Sequence, residues 1–218
     1  MEKFEINILG CGSATPTPRH NPSSQVINFR DNLFMIDCGE GTQRMMRKMK
    51  LRFSRLNHIF ISHMHGDHCL GLPGLLSTLG LHERTGTVTV HLPAEGLDIM
   101  RRMADFFVRQ PSFDLVFEPI EGDGGRIFAS DSLTVDAFPL YHRVPCYGFL
   151  FRETAKMRHL RGDMVAFHGV PVSALHGIKC GADYVKPDGE VIVNEMLTRP
   201  ADRSRSYAYC SDTQPDER

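Results

Sequence analysis

The sequence predicts an α/β fold built around one large core, and three observations lead there. Runs rich in β-branched and apolar residues, bounded by turn formers, alternate with helical patterns along the chain. A length of 218 residues is within reach of a single α/β domain. With 41% apolar and 23% charged residues, a disordered or fibrous chain is excluded.

In order, the segments 4–9 (FEINIL), 33–36 (LFMI), 58–61 (HIFI), 87–91 (TVTVH), 133–138 (LTVDAF), 147–151 (YGFLF) and 206–210 (SYAYC) read as strands. Helical patterns fall at 42–50, 69–80 and 95–109. Residues 154–196 differ, with few alternating apolar runs, several Gly and Pro, and a basic bias from Lys156, Arg158, Arg161 and Lys179. They read as a protruding or mobile insertion without a core role, or as a loop-rich stretch with a small hairpin around Pro187-Asp188-Gly189. The last strand lies so near the end that no closing helix follows, which predicts a sandwich with covering elements missing.

No stretch approaches the roughly 18 apolar residues that a bilayer crossing needs, so the chain reads as soluble and cytoplasmic, with no membrane partner. Its six cysteines form no C-x-x-C pair and read as buried, reduced thiols, with disulfides the alternative that a chain of this length does not need. Net charge is 25 − 26 = −1, so the total offers no attraction to nucleic acid. The distribution is polarised: residues 44–55 (RMMRKMKLRFSR) carry six basic side chains and no acid, while 114–136 carry six acids against one Arg. The basic run reads either as a solvated helix face or as a contact for phosphate backbone.

The densest chemical signal is His63-Met64-His65-Gly66-Asp67-His68, directly after an apolar strand. Two His at i and i+2 leaving a strand end can aim both imidazoles at one point, and neutral imidazole suits Zn2+. Asp67 and His68, past a Gly-permitted turn, reach a second point nearby, so the run favours two adjacent metals. Packing four such side chains together without a metal leaves polar groups unsatisfied, at about 1–3 kcal/mol each. Further donors are expected at the ends of other strands, and His142 and Asp212 both stand there. Asp37 is a third strand-end acid, placed to orient a ligand histidine. His20, His82, His159, His168 and His176 lack such a context and read as surface residues.

The stretches NILGCGSATPTPRHNPSS, IDCGEGTQ, ISHMHGDHCLGLPGLL, YHRVPCYGF and YCSDT span essentially the whole chain in order. Together they resemble the metallo-β-lactamase-fold nucleases of the ribonuclease Z family, the tRNA 3′-processing endonucleases. The His/Asp cluster alone is specific only to the superfamily; GDHCLGLPGLL, HRVPCYGF and DCGEGTQ narrow it. The resemblance implies an αββα sandwich with two zinc ions, His63, His65 and His142 on one, Asp67 and His68 on the other, and Asp212 bridging them. It implies that Asp67 is the catalytic proton acceptor, that precursor tRNA is the substrate, and that the 154–196 segment is a tRNA-gripping arm, often working across a homodimer; DNA is not an expected partner. Two features depart from the family pattern. The arm reads Gly169-Val170-Pro171 where a Gly-Pro pair is usual, and the family continues beyond the SDT motif to an assisting His and a last His ligand. The sandwich is therefore expected to be C-terminally incomplete. Two rivals share these residues: a metallo-hydrolase of small esters or phosphodiesters, and a non-catalytic RNA-binding homologue.

Overall fold

The computed structural model describes residues 3–108 and 111–215, and the chain divides into two compact units. The first comprises residues 1–129, 134–151 and 207–218. Its main sheet has six strands in sequence order: β1 (Phe4–Gly10), β2 (Ser24–Phe29), β3 (Asn32–Ile36), β4 (Leu56–Phe60), β5 (Thr87–Pro93) and β6 (Asp114–Ile120). β1 to β3 form an antiparallel meander, and β3 to β6 run parallel. Arg30 and Asp31, with φ of 50° and 63°, turn the β2–β3 hairpin in the doubly left-handed geometry that matches strand twist.

Helices α1 (Thr42–Lys48), α3 (Leu72–Leu81) and α4 (Leu97–Phe107) supply Met46, Leu72, Leu75, Leu79 and Met100 to the core that holds Met35, Ile59, Val88 and Val90. The second sheet comprises β7 (Gly125–Ala129), β8 (Leu133–Pro139), β9 (Tyr147–Glu153) and the strand Ser206–Tyr209, which lies beside β9. The sheets meet through aromatic rings: Phe60 contacts Phe149 and Phe151, each 5.5 Å away, and Phe34 lies 5.3 Å from Phe128. Helix, sheet and sheet are thus stacked as an αββα sandwich requires.

The predicted strands are present, and β2, β6 and β7 are additional. β2 is buried on both faces, so its sequence SQVINF shows no alternation. β6 carries acids and Pro119, which an edge strand tolerates. The helix expected over 69–80 is instead two: α2 (Gly66–Cys69) ends, and α3 restarts with Pro73 in its first turn, where a missing amide costs nothing. The 95–109 pattern is helical from Leu97 to Phe107, and Arg109 lies outside the described residues. The cysteines depart from expectation: all are free, but only Cys38, Cys69 and Cys146 are buried, while Cys11, Cys180 and Cys210 are exposed.

The second unit comprises residues 130–133 and 152–206. The 154–196 stretch, expected as an insertion without a core role, forms with Leu197 a small cluster of its own: Ile178, Ile192 and Leu197 are buried among short helices at Gly162–Phe167, Leu175–Lys179 and Asn194–Leu197. Buried Asn194 ties it together by donating to the carbonyls of Ile178 (2.7 Å) and Ala182 (2.8 Å). Its elements are too short for a periodic signal to show. The hairpin around Pro187–Gly189 is formed by Tyr184–Val185 and Val191–Ile192. Glu153 closes the base of this unit, accepting from the Arg205 amide (2.7 Å) and guanidinium (2.6 Å), with the Lys156 ammonium at 3.2 Å.

Candidate metal centre

The carboxyl ends of parallel strands are where an α/β sheet can gather side chains from several loops. Asp37 follows β3, and Ile61 to His65 follow β4, on the same edge. His142 follows β8, and Ser211 and Asp212 follow the strand Ser206–Tyr209. Backbone bonds stitch these loops together: Asp37 N donates to Phe60 O (2.8 Å), Cys38 N to His68 O (2.7 Å), and Tyr147 N to Ser62 O (2.9 Å). Tyr141 N reaches Thr213 Oγ1 at 3.2 Å, and Gln214 N donates to Tyr141 O at 2.8 Å. Glycine is required where the loops touch, since a Cβ on Gly71 would collide with Gly39 O, and one on Gly39 with Asp67 O.

The ligand-capable atoms of His63, His65, His142 and Asp212 all lie within 4.8 Å of one another. His63 Nε2 is 3.0 Å from His65 Nδ1, which is 3.4 Å from His142 Nε2. Three ring nitrogens therefore face a common point. His68 Nε2 lies 3.6 Å from Asp67 Oδ2 and 4.0 Å from Asp212 Oδ1, so Asp212 stands between the two groups.

Asp37, fully buried, organises this edge. It accepts from the Ser62 amide (2.8 Å), Ser62 Oγ (2.9 Å), Tyr209 OH (2.7 Å) and, more weakly, Ser23 Oγ (3.3 Å), and it lies 2.7 Å from His68 Nδ1. With Asp37 accepting, His68 carries its proton on Nδ1 and leaves Nε2 directed toward Asp67 and Asp212. Ser62 Oγ, donating to Asp37, lies 3.1 Å from His63 Nδ1 and holds that ring in the same tautomer. His63 and His68 thus offer bare Nε2 lone pairs behind held Nδ1 protons, while His65 presents Nδ1, and neutral imidazole ligates through either nitrogen, so the donor set fits a divalent cation.

The electrostatics agree. Burial, reinforced by the neighbouring His68, pushes His63 down to about 4, which keeps it neutral. Burial also lowers His65, helped by Arg143. For His68 burial acts downward, but the Asp37 hydrogen bond and the charges of Asp37, Asp67 and Asp212 reverse it, and the net shift is upward. Asp67 resists burial through the Ala14 amide (2.7 Å to Oδ2) and His68, and its pKa is lowered. Burial pushes the Cys69 and Cys146 thiols up to about 12, so they stay protonated and are not competing ligands.

The residues expected from sequence therefore meet at one edge, and Asp37 stands where it was expected. Ser62, Tyr209, Ser23 and the Ala14 amide were not anticipated, because hydroxyls and amides that close such bonds across the chain carry no local signature. His58 and His91, also unremarked, form a separate pair between the sheets.

Fold and site define a protein of the metallo-β-lactamase fold with a donor set able to hold a metal ion. YhfI of Bacillus subtilis, a metallo-β-lactamase-fold protein, superposes with a TM-score of 0.52 at 17% identity, over 67% of this chain and 57% of that one, which bears on the fold alone. The family model described as Anti-Pycsar protein Apyc1 matches residues 4–166. Ribonuclease Z of Bacteroides fragilis is 55% identical over 214 residues, 98% of this chain and 70% of that protein. Human tRNase Z, short form, superposes with a TM-score of 0.62 at 29% identity, over 69% of this chain and 64% of that one. The chain belongs to the ribonuclease Z family, also matches the Apyc1 model over residues 4–166, and spans under two thirds of the solved human relative.

Proposed function

We propose that this chain carries the catalytic centre of a zinc-dependent endoribonuclease that removes the 3′ trailer from precursor tRNA by phosphodiester hydrolysis, leaving a 3′-hydroxyl on the tRNA. The observation that supports this reading is the convergence of His63, His65, His142 and Asp212 beside Asp67 and His68, in a chain of this family. We assign His63, His65 and His142 to one ion, Asp67 and His68 to the second, and Asp212 to both. Imidazole with carboxylate favours zinc. Ions held by these residues would supply Lewis-acid polarisation of the scissile phosphoryl group and a more acidic water.

The chain's own residues do the rest. Asp67 is ionised, with one oxygen fixed by the Ala14 amide, and so can take a proton as the proposed catalytic base. Asp37 fixes the His68 ring, and through Ser62 the His63 ring, so neither turns when substrate enters. RNA would be gripped by phosphate charge and shape, through the basic 44–55 run and the 154–196 segment, in a cytoplasmic homodimer that does not act on DNA.

The decisive comparison sets cleavage of a precursor tRNA against that of a small phosphodiester, each with and without chelator. The proposal expects chelator-sensitive release of the trailer, and trailer release should depend on residues 154–196. Turnover of the small substrate with no trailer release would favour the small-ester or phosphodiester hydrolase. RNA binding without any hydrolysis, unchanged in His63→Ala and His65→Ala, would favour the non-catalytic homologue. Metal analysis adds a separate check. The four donors around His65 form the tight group and the donors around His68 are more widely spaced, so one zinc should be held firmly and a second more weakly. Two ions held with equal strength would contradict this assignment.

A further inference from the structure

The structure splits the basic run in two. Arg44, Arg47 and Lys48 lie exposed on α1, while Lys50, Arg52 and Arg55 pass beyond it and, with Lys3, wall a cavity of about 280 Å³. This cavity lies where β3 and β4 begin, beside Leu33 and just before Leu56, whereas the metal centre lies where they end. Strands of five residues at about 3.3 Å each separate the two by about 17 Å or more. The cavity is thus distinct from the site already described.

Its charge is one-sided. The acid that lines it, Asp31, is 3.4 Å from Lys3 Nζ, while Lys50, Arg52 and Arg55 have no ion-pair partner among the described residues. The backbone gives a second, independent sign. Helix α1 ends with Leu51 N donating to Met46 O (2.9 Å) and Lys50 N to Arg47 O (3.1 Å), which places Lys50 at the left-handed position of a Schellman cap, with φ of 57°. Glycine adopts that conformation without steric cost, and a lysine does not. The strained residue brings a cation to the cavity wall.

We propose that this cavity binds a phosphate group, and that its occupant is a backbone phosphate of RNA that follows the basic face of α1 away from the metal centre. The occupant rests on the RNA reading above; the phosphate chemistry does not. The test uses the full chain and two probes: a fluorescent RNA stem with a single-stranded 3′ extension, titrated at several salt concentrations, and inorganic phosphate, followed through the backbone amides of residues 50–55. Arg52→Ala/Arg55→Ala should weaken RNA binding about tenfold at low salt and flatten the log–log salt slope by about 1, as loss of one or two phosphate contacts requires. Lys50→Gly should weaken RNA in the same sense while its thermal midpoint stays level or rises, which separates binding from folding. Unchanged RNA affinity and slope in both variants, with wild-type chain binding RNA well, overturns the proposal and leaves the RNA reading intact. Phosphate shifts confined to residues 50–55 in a chain that binds no RNA would uphold the site with a free phosphate-bearing ligand and count against the RNA reading.

Discussion

Acidification from about pH 7 to about pH 5 should destabilise this fold through two histidines that take no part in the metal centre. His91, 2% exposed, and half-buried His58 sit between the sheets, stacked among Phe34, Phe60 and Phe128. Glu118 Oε2 is 3.1 Å from His91 Nδ1, and His91 Nε2 is 3.2 Å from His58 Nδ1. The carboxylate takes the Nδ1 proton of His91, whose bare Nε2 then takes that of His58, and this order requires a neutral His91. Burial pushes His58 down to about 4; burial, then the neighbouring His58, pushes His91 down to about 3. Because these folded values lie below the unfolded 6.5, the stabilisation is complete above about pH 6.5 and is lost as pH falls toward them. At about pH 5 each ring would cost about 2 kcal/mol if it acted alone. The rings are coupled and Glu118 favours a charged His91, so a combined loss of about 2–3 kcal/mol is the expected figure. The chain has no Trp, so urea unfolding would be followed by far-UV circular dichroism, with chelator present throughout. His58→Phe/His91→Leu should remove about 2 kcal/mol of the pH dependence while leaving that of His63 in place. Equal pH dependence in wild type and double variant would refute the reasoning.

Asp37→Asn places an amide donor against the hydroxyls of Ser62 and Tyr209, and should lower zinc affinity about 10–100-fold in chelator competition and destabilise the fold by about 2 kcal/mol; wild-type affinity would show that Asp37 does not orient His68. Gly71→Ala drives a Cβ into Gly39 O, where two backbones must part, and should cost more than about 2 kcal/mol in denaturant unfolding, whereas Gly86→Ala, which meets no neighbour and carries only the strain of its φ of 80°, should cost less. Glu153→Gln leaves Arg205 and Lys156 without their carboxylate and should speed proteolytic nicking within 154–204. The Arg205 and Lys156 bonds outweigh burial and hold Glu153 at about 2, so its contribution is present above about pH 4.5 and is lost as pH falls toward 2; nicking that is equally fast in wild type at neutral pH would sink this role.

What was legible in the sequence follows from how local each signal is. The 63–68 run is contiguous and announces itself, and His142, Asp212 and Asp37 are each readable as a polar residue stranded at the end of an apolar strand. Ser62 and Tyr209 are not readable, because what defines them is a hydrogen bond to Asp37 made 25 and 172 residues away. The same contrast holds for the strands. Both β5 and β2 are buried on both faces, but β5 alternates Thr with Val and so is readable, whereas β2, with Ser24 and Asn28 buried among its apolar residues, shows no period. His91 looks like any strand residue until its parallel partner Glu118 is known.

The placement of the centre also explains why it needs so much support from ordinary residues. Its donors come from both sheets, His63, His65, Asp67 and His68 from the first and His142 and Asp212 from the second, and a small slide of one sheet on the other would separate them. Aromatic packing of Phe34 and Phe60 on Phe128, Phe149 and Phe151 resists that slide without specifying a register, because apolar contact is non-directional. Directional bonds have to specify it. Tyr209 from the second sheet donates to Asp37 of the first, and Tyr147 N donates to Ser62 O, the residue between Asp37 and His63. Both of these inter-sheet bonds end on a group that itself holds a candidate ligand, so they aim the imidazoles while they help to fix the register, and Tyr207 OH, donating to Gln25 Oε1 at 2.5 Å, fixes the register without touching a candidate ligand. Loss of the Tyr209 or the Tyr147 bond should therefore weaken metal binding more than its modest share of stability would suggest.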